Sequence, residues 1–331
     1  MVDVVVTGGS GFLGSRLARR LLAEGALDVA GGGAQPVARV TLFDQVPAPA
    51  DLAADRRVAV VTSDLVAPDL RAALAGVDAV FHLGAAVSAE CEADFDLGMR
   101  SNLLGTQALL AACRELGTNP LVVYSSSLAA FGGSAGLPLP AVIDDHTPPN
   151  PQTSYGAQKV IGEQLLADYT RKGFVRGRAV RLPTVSVRPG RPNGAATGFL
   201  SGIIREPLAG RRASCPVEPA TEVALISPDR AVAGLLRAAT ASEQEWADRR
   251  AVNLPALTVT VAEMAAALER ASPGASALID WAADPLIAAM VTNWPARIRA
   301  DRAGRLGLTP DPDMDSIVAA HRDGQDVGVP R

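Results

Sequence analysis

The stretch TGGSGFLG, residues 7–14, stands between the β-branched run VDVVV at 2–6 and the amphipathic segment SRLARRLLAEG at 15–25. A strand, a glycine-rich turn and a helix in that order make the glycine spacing informative. Gly8, Gly11 and Gly14 satisfy GxxGxxG, while Gly9, Gly11 and Gly14 satisfy GxGxxG. Such glycines permit a tight turn and a close approach of backbone to pyrophosphate, and the following helix offers free N–H groups and the positive end of its dipole. The pattern predicts a dinucleotide seated on this turn, with Phe12 and Leu13 beside it. A glycine turn without a ligand is the structural alternative.

Outward from that turn, VARVTLF (37–43), VAVVTS (58–63), DAVFHL (78–83), LVVYSSS (121–127) and GRAVRLPTV (177–185) read as further strands. Helical stretches lie between them: DLRAALAG (69–76), a long segment around 93–116 and one starting at Tyr155. This alternation predicts an α/β fold, a Rossmann-type doubly wound parallel sheet over residues 1–180. Residues 181–331 read mainly as a smaller C-terminal substrate-binding lobe, with segments near 222–255 returning to the sheet. TVAEMAAALERA (260–271) opens with a capping box at Thr260 and Glu263. The GGG at 31–33 reads as a lengthened connection.

A formal net charge of −4 on 331 residues gives no attraction to nucleic acid or anionic lipid. No apolar run approaches the roughly 18 residues of a membrane span, and MVDVVVTGGSGF has no basic leader. Cys91, Cys113 and Cys215 are scattered and form no CxxC pair, so neither a metal site nor a disulfide framework is expected. These features predict a soluble cytoplasmic protein.

Asp44 ends the second strand of the parallel series, where dinucleotide folds place an acid on the adenosine ribose. It follows Gly14 by 30 residues, against about 20 in most such folds, and the AGGGAQP insertion at 30–36 accounts for the excess. A carboxylate there disfavours a 2′-phosphate, so NAD is expected; a plain strand-end turn residue is the alternative. Asp64 and Leu65 could flank the adenine. Tyr155 and Lys159 share one face of a helix at i, i+4.

TGGSGFLG, HLGAAVS (82–88), SNLLGTQALLAAC (101–113), VVYSSSLAAFG (122–132) and YGAQK (155–159) occur in that order, and together the chain resembles an extended short-chain dehydrogenase/reductase. The resemblance implies Tyr155 as general acid/base, Lys159 as the cation that acidifies it, Ser127 as the hydroxyl orienting the substrate oxygen, and Asn102 as support for the lysine through water. Ser126 competes closely with Ser127. An ammonium about 4 Å from a phenol, at an effective dielectric near 20, contributes about 4 kcal/mol, or roughly three pKa units, which would bring the phenol near neutrality. Leu83, Gly84 and Ala85 are read as cofactor-binding, Pro183 and Val185 match positions that pack on the nicotinamide, and Gly84, replacing the usual alanine, is expected to open room near the cofactor. His82 reads as structural, His146 and His321 as loop or surface residues.

RLPTVSVRPGRPNGAATGFLSGIIREPLAG (181–210) departs from the RxxNVYGP-like stretch of nucleotide-sugar enzymes and is similar to that of a group oxidising a four-carbon sugar acid with NAD. A carboxylate substrate wants cations, and Arg188, Arg191 and Arg205 are candidates, each with a solvated alternative. Ser88 could lie near substrate. The resemblance implies a small-molecule sugar-acid substrate and a homodimer through the helices at about 93–116 and 154–172. A nucleotide-sugar epimerase and a non-catalytic NAD(P)-sensing protein remain the alternatives.

Overall fold

The computed structural model describes residues 1–190 and 197–326. The chain forms two compact units, the first from Met1–Ala130, Thr153–Arg181 and Val232–Val252. Its sheet begins with β1 (Val2–Thr7), whose side chains are buried apart from half-buried Asp3, as befits a parallel strand covered on both faces. Helix α1 (Phe12–Glu24) leads to a hairpin of β2 (Ala26–Asp28) against β3 (Ala34–Asp44). The insertion at 30–36 therefore builds an edge hairpin rather than only lengthening a connection. There follow α2 (Ala50–Ala53), β4 (Val58–Thr62), α3 (Asp69–Ala73) and β5 (Ala79–His82). Next come α4 (Ser88–Ala93), α5 (Phe95–Gly98), a π-helical turn at Met99–Leu104 and α6 (Gly105–Leu116). The expected single helix around 93–116 is thus divided, and π insertions of this kind often mark functional positions. β6 (Leu121–Ser127), α7 (Ser154–Arg171) and β7 (Arg176–Leu182) complete the series.

β1 pairs in parallel with β3 and β5, β3 with β4, and β5 with β6. The strand order runs Val252–Asn253, β7, β6, β5, β1, β3, with β2 and β4 both on β3. Val5, Phe43, Val80, Val122 and Tyr124 from the strands pack with Leu70, Leu74, Leu109, Leu110 and Leu166 from the helices. This layer brings the C-terminal ends of β1, β5 and β6 to one edge.

The second unit comprises Phe131–Gln152, Leu182–Ala231 and Asn253 onward. Residues 131–152, read from sequence as part of the first domain, belong here. Pro183 ends β7 at Leu182, and Thr184–Val185 pairs instead with Leu225 and Ile226; a residue without an N–H interrupts a ladder. Glu222–Ile226 lies in a three-stranded sheet with Leu257–Thr260 and Thr184–Val185, so of the 222–255 stretch only Val252–Asn253 adds a strand to the large sheet. The Thr260 box forms: Glu263 N donates to Thr260 Oγ1 at 3.1 Å and Thr260 N to Glu263 Oε2 at 2.7 Å. Leu200, Ile203, Ile204, Leu225, Met264, Leu268 and Val318 make this unit's own core.

Candidate active site

The glycine turn has no room for side chains. Gly8 has φ +67°, and a Cβ on it would stand 2.7 Å from Gly84 N; one on Gly14 would stand 2.1 Å from Gly8 O. α1 opens at Gly11 with no side-chain cap and no acidic residue in its first turn, so its N–H groups and positive end stay open to an anion. Asp44 accepts from Ser10 N at 3.0 Å and from Gln45 N at 2.7 Å, tying the end of β3 to this turn. Ser10 Oγ is buried without a hydrogen-bond partner among the described residues. Phe12 and Leu13, both half-buried, form the first turn of α1. A bare glycine cradle, an open helix end and an acid at the end of β3 fit a dinucleotide.

Gly84 lies against this cradle, since a Cβ on it would stand 3.2 Å from Gly8 N. Its smallness lets the β5 turn approach the glycine loop, a tighter demand than the extra room expected. Leu83 N donates to Thr7 O at 3.1 Å, and Ala85 follows. Leu65 packs near both Gly84 and Gly105. The carboxylate of Asp64 is held by Arg100 at 2.9 Å and by Val66 N at 3.0 Å.

β6 delivers three consecutive hydroxyls, and their surroundings tell them apart. Ser125 Oγ donates to His82 O at 3.1 Å, and Ser126 Oγ donates to Glu163. Ser127 is hydrogen-bonded to the Tyr155 phenol. α7 starts from Thr153, whose Oγ1 accepts from Gly156 N at 3.0 Å. One turn on from Tyr155, Lys159 is 3% exposed, donates to Ser125 O at 2.8 Å and stands 5.6 Å from the Tyr155 ring centre. Tyr155, Lys159 and Ser127 are therefore brought together.

The electrostatics depart from the expectation of an acidified phenol. Burial pushes the Tyr155 phenol up to about 12, and hydrogen bonding from Ser127 offsets this only partly. Burial pulls Lys159 down to about 8, with Cys91 and Glu163 opposing. Both groups lose hydration for their charged forms, and the ammonium is spent on a carbonyl rather than on the phenol oxygen. The site holds a neutral phenol beside a lysine that is protonated at neutral pH and titrates near 8.

Asn102 sits on the π turn, 1% exposed. Its Oδ1 accepts from Ala86 N at 2.8 Å, and its Nδ2 donates to Gln158 Oε1 at 2.8 Å and Ala86 O at 3.2 Å. Those partners fix the 84–87 turn, and Lys159 is not among them. Buried His82 links the layers: Thr7 Oγ1 lies 2.7 Å from Nδ1 and Thr106 Oγ1 3.0 Å from Nε2. Thr106 donates to Asn102 O, which leaves it to accept from Nε2–H. Burial pulls His82 down to about 3, so it stays neutral. Ser88 is buried at the start of α4.

Pro183, Val185 and Arg188 belong to the second unit. There Arg188 N donates to Ser201 Oγ at 3.0 Å. Arg205, 4% exposed, donates to Glu206 at 2.7 Å and to Arg188 O at 2.7 Å. Arg191 lies outside the described residues. His321 is buried rather than on the surface. Among the described residues no cluster could hold a metal ion, and Cys91, Cys113 and Cys215 are free and buried.

Two features escaped the sequence reading. Glu163 and Arg181 form a buried bidentate pair, with Nε donating at 2.8 Å and Nη2 at 2.7 Å, behind Ser126. The three arginines of the strand RGRAVRL, and an acid one helical turn beyond Lys159, are the available signals. Gln158, buried beside Lys159, was the other.

Residues 4–227 match the family described as NAD dependent epimerase/dehydratase. The chain is 50% identical over 99% of its length to D-erythronate dehydrogenase of Cupriavidus necator, covering 99% of that protein. It is 38% identical over 96% of its length to D-erythronate dehydrogenase of Haemophilus influenzae, covering 98%. Among solved structures it resembles the nucleoside-diphosphate-sugar epimerase from Agrobacterium tumefaciens, with TM-score 0.88, 38% identity, and coverage of 99% of this chain and 95% of that one.

The buried ammonium should be a liability to folding. With Lys159 near 8 in the folded protein and 10.5 as its ordinary value, the folded state binds fewer protons between those limits, so stability rises with pH there and the full penalty is present below about 8. Lys159→Met is therefore expected to raise stability at pH 7 by up to about 3 kcal/mol, with the gain shrinking toward pH 10.5. Urea unfolding at both pH values checks this; a variant that is less stable than the parent at pH 7 contradicts it.

Proposed function

The chain belongs to the NAD dependent epimerase/dehydratase family, and from that premise we propose that it is an NAD-dependent dehydrogenase oxidising the C2 hydroxyl of D-erythronate to 2-oxo-tetronate. The carrying observation is near-complete alignment, at 50% identity, with the Cupriavidus necator D-erythronate dehydrogenase. The grouping of Tyr155, Ser127 and Lys159 supports it, because these are the groups an alcohol oxidation requires.

NAD, when bound, supplies the hydride acceptor and the positive charge of its oxidised ring; the bare turn at Gly8–Gly14, Asp44 and the Leu65–Ala85 region would hold it. The residues of the chain handle the proton. Ser127, hydrogen-bonded to Tyr155 in the free protein, would turn its hydroxyl to the substrate oxygen when substrate binds. Tyr155 accepts the hydroxyl proton as the C2–H bond breaks, which requires the phenolate. Lys159 stabilises that phenolate by its charge, and the remaining lowering comes from cationic charge brought in with the ligands. Asn102, through Ala86, fixes the backbone beside the cradle. Arg188 is a candidate for the substrate carboxylate.

A second reading, nucleotide-sugar epimerisation with the same residues and transient oxidation, is favoured by the likeness to the Agrobacterium tumefaciens epimerase. A homodimer belongs to the proposal: Phe95 on α5, Leu104 on the π turn and Ile161 on α7 are exposed apolar side chains on neighbouring elements. So does a cytoplasmic location, in which the three buried thiols remain reduced; fractionation of the source cells checks it. No helix among the described residues is long and apolar enough to cross a membrane.

NADH absorbance should accumulate with D-erythronate and stay flat with UDP- or dTDP-sugars; interconversion of a nucleotide sugar without net NADH would overturn the assignment. Tyr155→Phe should keep NAD affinity and lose about 10²–10⁴-fold in kcat. Sedimentation should give a dimer that Leu104→Lys dissociates, and a monomeric parent chain would refute that part.

A further inference from the structure

Only Lys159 and Lys172 are lysines among the 31 lysine and arginine residues. Arginine serves almost everywhere else, so Lys159 marks a place where a compact, titratable ammonium is required. That ammonium is nearly without water, and one carbonyl, Ser125 O, satisfies one of its three donors. Its other near neighbour on β6 is the face of Tyr124, with Nζ 4.9 Å from the ring centre.

We propose that Tyr124 is a positioning residue for the proposed oxidation, whose ring face rather than its hydroxyl holds the Lys159 ammonium charged and in place. The ring is fixed on all sides. Gly162 of α7 lies against it, where a Cβ would meet the hydroxyl at 2.4 Å, and the His82 ring packs 5.6 Å away. Its Oη is buried beside the Thr106 side chain, itself engaged with Asn102 O and His82, so the aromatic face is what it offers the ammonium.

The other groups around Lys159 are poor substitutes. On its own helix, Tyr155 offers a ring that is farther off, at 5.6 Å, and Glu163, which favours the ammonium, is shared with Arg181 of β7 and Ser126. From β5, His82 is neutral; from α4, the Cys91 thiol is raised by burial and stays protonated. Beside the attraction of Glu163, a desolvated cation over an aromatic face is the stabilising contact left, and Tyr124, at 4.9 Å against 5.6 Å for Tyr155, presents the nearer face.

The test uses the full-length protein labelled with 13C at lysine Cε, in which Lys172, exposed at the end of α7, is the internal reference. Tyr124→Phe and phenylalanines carrying one, two and three ring fluorines are placed at position 124. Fluorine drains the face while keeping the ring's shape, so packing is preserved. Tyr124→Phe should leave the Lys159 titration midpoint within a few tenths of a unit, and three fluorines should lower it by about one unit in graded steps. A midpoint indifferent to fluorination, or one that falls fully with Tyr124→Phe, overturns the proposal. The inference rests on the dehydrogenase reading for its consequence, a high-pH limb of kcat/KM that moves in step. The NMR titration does not depend on turnover, so failure of that reading shows separately, as absent NADH formation with the graded midpoint intact.

Discussion

A positive charge confined away from water, at Lys159, is the constraint on which the first unit's arrangement depends. Burial pulls that amine down to about 8, and a neutral amine would do nothing for a neighbouring phenol. The surrounding architecture answers this step by step. β6 turns a backbone carbonyl and an aromatic face toward Nζ. α7 adds Glu163, itself held by Arg181 from β7. The central strands carry no competing charge, because His82 is neutral between Thr7 and Thr106. Lys159 therefore stays ionisable close to neutral pH, and the geometry keeps it one helical turn from Tyr155.

The same layer joins the proposed cofactor seat and the proposed reacting groups through one set of contacts. Thr7 ends β1, accepts from Gly84 N and bonds His82, so the glycine turn and the end of β5 are held in mutual register. Ser125 then joins β6 to β5 through the His82 carbonyl. The result is a line of strand ends, β1, β5 and β6, carrying Gly8, Gly84 and Ser127 in turn. Binding a dinucleotide there would add both the hydride acceptor and the cationic charge that the ligand-free pair lacks.

What could be read from the sequence was whatever local sterics dictate. TGGSGFLG is legible because no side chain fits at Gly8 or Gly14, and Tyr155 with Lys159 is legible because helical spacing brings i and i+4 together. The roles of Ser125, Ser126 and Ser127 were not separable, since the partner of each comes from a different element: β5, Glu163 of α7, and Tyr155. The phenol's acidity was misjudged for the same reason. A Coulomb estimate needs only a distance, whereas desolvation depends on everything packed around both groups, and here it outweighs the attraction. The assignment of 131–152 to the second unit is likewise a tertiary fact. The break at Pro183 falls inside GRAVRLPTV, which reads from sequence as one strand, although a residue without an N–H marks it.

The central claim, that Lys159 and bound oxidised cofactor act together to make Tyr155 a base, is tested most directly by titrating the phenol. With three tyrosines in the chain, the tyrosinate absorbance of the parent minus that of Tyr155→Phe isolates one group. The account predicts a midpoint near 12 in the free protein, falling by several units on saturation with NAD and falling far less when Lys159 is replaced by Met. A Tyr155 midpoint that NAD leaves unmoved, or that drops equally without the ammonium, would contradict it.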